Sequence, residues 1–132
     1  MPLSLEIVTP EKRVAQAVCD EVRAPGVEGG FGIRPGHASF MSALEPGALV
    51  VVQGGSEERY AVGGGFLQVD QDRVIVLADT AEPAAAIDVE RAKRDFAEAT
   101  ERLRTLAEQD ENHAVEAARV RRAAARLSVA RR

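Results

Sequence analysis

The chain has 132 residues, 45% of them hydrophobic, which fits a single domain or a small domain with an appendage. Its one cysteine, Cys19, excludes an internal disulfide framework and a cysteine-based zinc site, and fits a reducing compartment. No window approaches the roughly 18 apolar residues of a membrane span, and the first residues do not resemble a signal peptide, so we expect membrane association only through a partner.

The net charge of −4 is unevenly distributed. Residues 1–87 contain six Lys/Arg and twelve Asp/Glu, whereas residues 88–132 contain eleven and nine. The last nineteen residues contain six arginines and one acidic residue, Glu116. This asymmetry predicts two modules that meet different surroundings.

Short strands are predicted over about the first eighty residues. Apolar and polar residues alternate over residues 3–9, a turn is predicted at 9–12, and strands at 13–17 and 19–24. The glycine-rich stretch 29–40 predicts a shaped loop that displays Arg34 and His37. Strands 40–44 and 48–53 are predicted to flank a turn at 45–47, and strands 59–62, 66–69 and 73–78 follow. This regular punctuation favours a β-sandwich or barrel.

Three consecutive glycines, Gly63, Gly64 and Gly65, invite comparison with a phosphate-binding loop. Neither a Lys-Ser/Thr pair nor a helical pattern follows them, and a strand does. We therefore expect a bulge or a close backbone approach at this run.

Two helices are predicted after residue 82, and Asp88 is a candidate N-cap of the first. Apolar residues recur at helical spacing from Val89 to Leu106, and again at Ala117, Val120, Ala124 and Leu127, on either side of a break at 110–112. This pattern predicts an antiparallel helical hairpin. Because the seams are rich in alanine, which buries little area, we expect the hairpin to be weakly held.

No convincing catalytic set is present. His37 and His113 lie in different modules, and neither a Gly-x-Ser-x-Gly nor a Walker A motif occurs. Arg119, Arg122 and Arg126 share one face of the last helix. That face is either solvated or paired with Glu98 and Glu101 of the neighbouring helix. Alternatively, it binds an anion or an acidic protein surface. Nucleic acid is a disfavoured partner, because the chain is acidic overall.

Four blocks of the sequence, in order and at matching spacing, resemble the epsilon subunit of F-type ATP synthase. They are EGGFGIRPGHA at 28–38, GGGFLQV at 63–69, VIVLADTA at 74–81 and IDVERA at 87–92. Two positions depart from the family pattern: Gly30 replaces a common acidic residue, and Ser39 replaces the usual proline.

The resemblance implies an α+β fold, with an antiparallel β-sandwich over residues 1–84 and a two-helix regulatory domain over 85–132. It implies a non-catalytic rotor subunit at the cytoplasmic face of a bacterial plasma membrane. The sandwich would bind the gamma subunit and the c-ring, and the helices would meet the alpha/beta catalytic subunits and inhibit ATP hydrolysis. Alternatives are a free-standing adaptor whose arginine-rich hairpin binds an anionic partner, and a small β-domain enzyme.

The same resemblance implies two sets of site residues. Glu28, Arg34 and His37 are the expected c-ring contacts. No cofactor is required, but ATP is a regulatory ligand in some bacterial members. The residues that would hold ATP here are Glu82, Ile87, Asp88, Arg91, Ala92, Arg122 and Arg126. Glu98 stands where ATP-binding members carry an arginine, so we expect weaker binding.

Overall fold

Eight strands and two α-helices follow one another along residues 2–131, the part of the chain that this computed structural model describes; of Arg131 only the backbone is described. The strands are β1 (Leu3–Val8), β2 (Arg13–Cys19), β3 (Glu21–Gly26), β4 (Gly29–Ile33), β5 (Phe40–Gln53), β6 (Ser56–Asp70), β7 (Arg73–Ala78) and β8 (Ala81–Pro83). A 3₁₀ turn (Ala84–Ala86) leads to the helices α1 (Val89–Thr105) and α2 (Glu111–Arg131).

The sheet order is β2-β1-β7-β6-β5-β3-β4, with β8 also paired to β6. The long strands β5 and β6 run through both layers of a sandwich. Their segments 40–44 and 65–70 continue into β7, β1 and β2, and their segments 46–53 and 56–63 are flanked by β3, β4 and β8. The predicted antiparallel sandwich followed by a helical hairpin is confirmed, with β1 and β7 as a parallel pair.

The bend between the layers lies at the triple glycine. Leu44 pairs with Gly65 and Pro46 with Gly63, so Glu45 and Gly64 are left out of the register. The predicted turn at 45–47 is wrong, because β5 bends here and continues. The predicted close approach is confirmed: Gly65 has φ of +133°, and an added Cβ would lie 2.8 Å from the Cα of Ala78.

The predicted loop at 29–40 is shorter than expected. Gly29–Ile33 forms β4, because its backbone pairs with β3 from Val22↔Ile33 to Gly26↔Gly29. The remaining loop, 34–39, is fixed to the β6–β7 turn. The amide of Gly36 donates to Asp72 Oδ1 at 2.7 Å, and the hydroxyl of Ser39 donates to Asp70 at 2.6 Å.

The core is apolar and lies between the two layers. It contains leucine, isoleucine and valine side chains that alternate with exposed positions, as the burial of β1 and β7 illustrates. Its fully buried large side chains are Leu3, Leu5, Ile7, Val22, Ile33, Leu49, Val62, Leu67, Val69, Val74 and Val76.

Asp88 caps α1 as predicted, since its Oδ1 accepts a hydrogen bond from the amide of Arg91 at 3.1 Å. The predicted seam of α2 is partly wrong. Ala124 is exposed, whereas Ala123, Ala125 and Val129 are buried. The reason is that α2 packs both on α1 and on strands β5 and β6, so that it buries two faces instead of one.

Among residues 2–131, no helix is long and apolar enough to cross a membrane. Within the same range, no group of three His, Cys, Asp or Glu side chains is placed to hold a metal ion.

Candidate functional site

A cavity of about 440 Å³ lies where the helices meet the sandwich. Its walls come from the β1–β2 turn, the chain between β7 and β8, and both helices. The lining residues are Thr9, Pro10, Glu11, Lys12, Val14, Asp79, Thr80, Ala81, Glu82, Arg91, Arg122 and Arg126.

The structure brings four of the seven predicted ATP residues to this cavity: Glu82, Arg91, Arg122 and Arg126. The other three do not line it. They are Ile87, which is buried with Ala61 and Val129 between helix and sandwich; Ala92, which is fully buried; and Asp88, which caps α1. In this conformation these three shape the site by holding the helices in place.

Arg126 is engaged by two carboxylates. Its Nε donates to Glu82 Oε1 at 2.6 Å, and its Nη1 donates to Asp95 Oδ2 at 3.5 Å. All three side chains are only partly exposed, so solvent screens these pairs less than it would on an open surface. Arg126 thus links β8, α1 and α2.

Arg119 forms a second ionic cluster one to two turns earlier on α2. Its guanidinium lies 3.1 Å from Glu98, 3.3 Å from Glu116 and 3.5 Å from Asp95. The hydrogen bond to Glu98, with a further contribution from Glu116, raises the pKa of Arg119. Glu98, expected to repel phosphate, is therefore paired with Arg119, and it does not line the cavity.

Three cations of the cavity have no such partner. Among residues 2–130, no carboxylate lies within 4.0 Å of the side-chain nitrogens of Lys12, Arg91 or Arg122. The stem of Arg122 packs against Gly63, where an added Cβ would lie 3.0 Å from its Cδ. The cavity is therefore able to accept an anionic group.

Sequence reasoning missed the β1–β2 turn. Thr9 and Lys12 line the cavity although they lie about 80 residues or more before the helices. The sequence predicted a turn there, but a turn gives no indication of which distant element packs against it.

The expected c-ring residues do not form one group. Glu28 lies in the β3–β4 turn, and Arg34 and His37 lie in the β4–β5 loop, at the far end of β4. At about 3.3 Å per residue, Glu28 and Arg34 are roughly 20 Å apart along the chain. The ring of His37 packs edge-on against Phe40, with 5.6 Å between centroids, and its Nδ1 lies 2.7 Å from the carbonyl oxygen of Ala38.

An apolar row crosses the outer face of one layer. Ala43, Phe66, Leu77 and Val8 are successive cross-strand neighbours on β5, β6, β7 and β1. Phe66 and Leu77 are 54% and 55% exposed, and all four line a mainly apolar cleft of about 510 Å³. A contiguous exposed apolar row of this kind is a candidate surface for contact with another protein.

Comparison with known proteins gives consistent matches. Residues 2–84 match the family model described as ATP synthase, Delta/Epsilon chain, beta-sandwich domain. The ATP synthase epsilon chain of Anaeromyxobacter dehalogenans (strain 2CP-1) is 66% identical over the full length of both chains. That of Myxococcus xanthus is 51% identical over 97% of this chain and 94% of the relative.

Solved structures agree on the fold. A chain in the cryo-EM structure of the Euglena gracilis mitochondrial ATP synthase, OSCP/F1/c-ring, superposes with a TM-score of 0.84 at 23% identity. The superposition covers 99% of this chain and 82% of that one.

Proposed function

Because this chain belongs to the ATP synthase delta/epsilon chain family, we propose that it is the epsilon subunit of a bacterial proton-translocating F-type ATP synthase. It is a non-catalytic component of the central stalk, held peripherally at the cytoplasmic face of the membrane. The 66% identity over the whole of both chains to a relative named ATP synthase epsilon chain carries this proposal. Residues 1–84 contact the rotor, and residues 85–132 regulate ATP hydrolysis.

Co-purification tests the assignment. A tagged copy, expressed in the organism that encodes the chain, is expected to bring down an ATP-hydrolysing complex from a detergent extract of membranes. Elution of the tagged chain alone, from cells that contain an assembled ATP synthase, would contradict the proposal.

The apolar row is the surface we assign to the gamma subunit. Burial of apolar area contributes about 25 cal/mol per Å², so an inserted charge at Phe66 opposes docking. Phe66→Glu is expected to reduce the recovery of gamma, and Val18→Glu is the control. Val18 is 52% exposed and points outward from the same layer, away from the row. Equal recovery with both variants would place gamma elsewhere.

The loop 34–39 is the surface we assign to the c-ring. Its two hydrogen bonds to the β6–β7 turn hold the backbone rigid, which lowers the entropic cost of binding. Cysteine at position 34 is expected to cross-link to the ring in membranes. Glu28 lies at the other end of β4, so cysteine at position 28 tests the opposite orientation of the sandwich on the c-ring. Cross-linking from position 28 and not from position 34 would show that the other end faces the ring.

The helices are assigned the regulation of ATP hydrolysis. In an extended state, the arginines of α2 would meet acidic segments of the catalytic subunits, in keeping with the positive charge of the last nineteen residues. Deletion of residues 88–132 is expected to leave assembly and ATP synthesis largely intact and to raise hydrolysis. Unchanged hydrolysis in an assembled enzyme would disprove inhibition by this hairpin.

The cavity is assigned to ATP as a regulatory ligand. Its volume falls in the range of small-molecule sites, and guanidinium groups from both helices line it. Calorimetry on the isolated chain tests this: binding of ATP is expected to saturate and to be lost in Arg122→Ala. Absence of binding at millimolar ATP would end the assignment.

A further inference from the structure

We propose that Lys12, in the β1–β2 turn, binds the phosphate groups of the ligand together with Arg91 and Arg122, while Arg126 holds the helices on the sandwich. This inference rests on the proposed binding of ATP in the cavity. It adds a residue of the sandwich to a site otherwise predicted from residues 82–126. It also assigns Arg126 to holding the helices on the sandwich instead of binding the ligand.

The first support is the position of Lys12. It lines the same cavity as Arg91 of α1 and Arg122 of α2, so three separate elements each contribute a cationic residue to its wall. The turn that carries it is fixed by three hydrogen bonds between Thr9 and Lys12. The two backbone amide bonds measure 2.9 and 3.3 Å, and the Thr9 hydroxyl donates to the Lys12 carbonyl at 3.2 Å. A fixed turn presents its side chain with little further loss of backbone entropy.

The second support is the pairing of charges. Three of the five N–H groups of Arg126 donate to carboxylates, Nε and Nη2 to Glu82 and Nη1 to Asp95. A phosphate at Arg126 would have to compete with these carboxylates. Within the described residues 2–130, no carboxylate lies within 4.0 Å of the side-chain nitrogens of Lys12, Arg91 or Arg122. An anion can therefore bind these three cations without breaking an existing ion pair.

Two further carboxylates, Glu11 and Asp79, also line the cavity. They reduce the net positive charge to which the ligand is exposed. A polyphosphate in contact with the three free cations gains more than a monophosphate, because each added phosphate brings charge towards another cation. The contribution of Lys12 is therefore expected to grow with the number of phosphates.

Calorimetry with matched variants tests the inference. The chain has two lysines, and Lys93 is an exposed α1 residue beside Glu90 that does not line the cavity, so Lys93→Gln controls for Lys12→Gln. Loss of one charge-assisted hydrogen bond is expected to raise the Kd for ATP about tenfold or more. The Kd for AMP should rise less, Lys93→Gln should change neither, and Lys12→Arg should restore ATP binding.

An unchanged Kd for ATP in Lys12→Gln would overturn the inference and leave the proposed ATP site standing. If the wild-type chain does not bind ATP, the nucleotide assignment is wrong, and titration with inorganic triphosphate then decides whether Lys12 serves an anion site. If triphosphate also fails to bind, both proposals are wrong.

A second experiment needs no variant. Amine acylation, read by peptide mass spectrometry, reports the accessibility of both lysines in one sample. Saturating ATP is expected to slow acylation of Lys12 several-fold and to leave Lys93 unchanged. Equal rates at Lys12 with and without bound ATP would contradict the inference.

Discussion

The guanidinium of Arg126 and the carboxylate of Glu82 form a two-contact ion pair across 44 residues of sequence, with Nε–Oε1 at 2.6 Å and Nη2–Oε2 at 3.4 Å. It joins the last helix to the last strand. Pairing through two contacts adds geometric specificity to the attraction between the charges. Since the helix–sandwich contact is otherwise small and alanine-rich, this pair is placed to control whether α2 stays docked.

Glu82→Gln should therefore loosen α2 in the absence of ATP. The pair is partly solvent-exposed, so we expect a loss of about 1 kcal/mol of docking free energy, which corresponds to roughly fivefold faster amide exchange in α2. Glu101→Gln removes an exposed pair with Arg104 within α1 and serves as the control. Equal exchange rates in the two variants would show that the Arg126–Glu82 pair does not hold the helix.

Val129→Ala should also release α2. Val129 is 0% exposed and contacts Ala61 and Ile87, whereas Val115 on the same helix is 57% exposed. Removing two buried methyl-sized groups costs about 1.6 kcal/mol at 0.8 kcal/mol each. Limited trypsin digestion should cleave α2 faster in Val129→Ala. Val115→Ala carries the same gain in helix propensity without the lost contact, so similar cleavage of both variants would refute the packing argument.

Gly65→Ala should destabilise the sandwich strongly. Its φ of +133° strains any other residue, and an added Cβ would collide with the backbone of Leu77 and Ala78 on the adjacent strand. Gly55 also has a positive φ, of +83°, but an added Cβ there meets nothing within 4 Å. Urea unfolding should show a loss of about 2 kcal/mol or more for Gly65→Ala and about 1 kcal/mol for Gly55→Ala. Equal losses would mean that backbone strain alone accounts for both.

Cys19 should make stability fall above neutral pH. Burial, with the nearby charge of Asp20 adding to it, raises the pKa of this thiol. Above the unfolded thiol pKa of about 8.5, the unfolded chain therefore loses a proton that the folded chain keeps, and the free energy of unfolding decreases as pH rises.

Urea titrations of wild type and Cys19→Ala between about pH 7.5 and 9.5 would measure this effect, because both proteins contain Tyr60 and its ionisation cancels in the comparison. The wild type should lose more stability than the variant over that interval. Parallel curves would show that the thiol does not contribute, whatever the absolute stability of Cys19→Ala.

Much of the fold follows from local sequence. Alternation in β1, the strand at 73–78 and the capping carboxylate of Asp88 each depend on a few neighbouring residues, and each was predicted correctly. The close backbone approach at the triple glycine was also predicted correctly. A phosphate-binding loop was excluded there because a strand, and not a helix, follows the glycines. The resemblance to epsilon subunits was confirmed by matches that cover the whole chain.

Which residues come into contact depends on long-range packing. Gly29–Ile33 has the composition of a loop, yet it is a strand because β3 supplies its hydrogen-bond partners. Ala123 and Ala125, not Ala124, are buried because α2 contacts two neighbours at once, and helical periodicity specifies a single face.

Lys12 reaches the cavity of Arg91 and Arg122 through strand pairing and helix docking across more than 70 residues. No local pattern encodes such a contact, because it depends on the sum of many weak interactions between distant segments. Local sequence patterns therefore specify most of the strands, both helices and the family, whereas long-range packing specifies which side chains form the site.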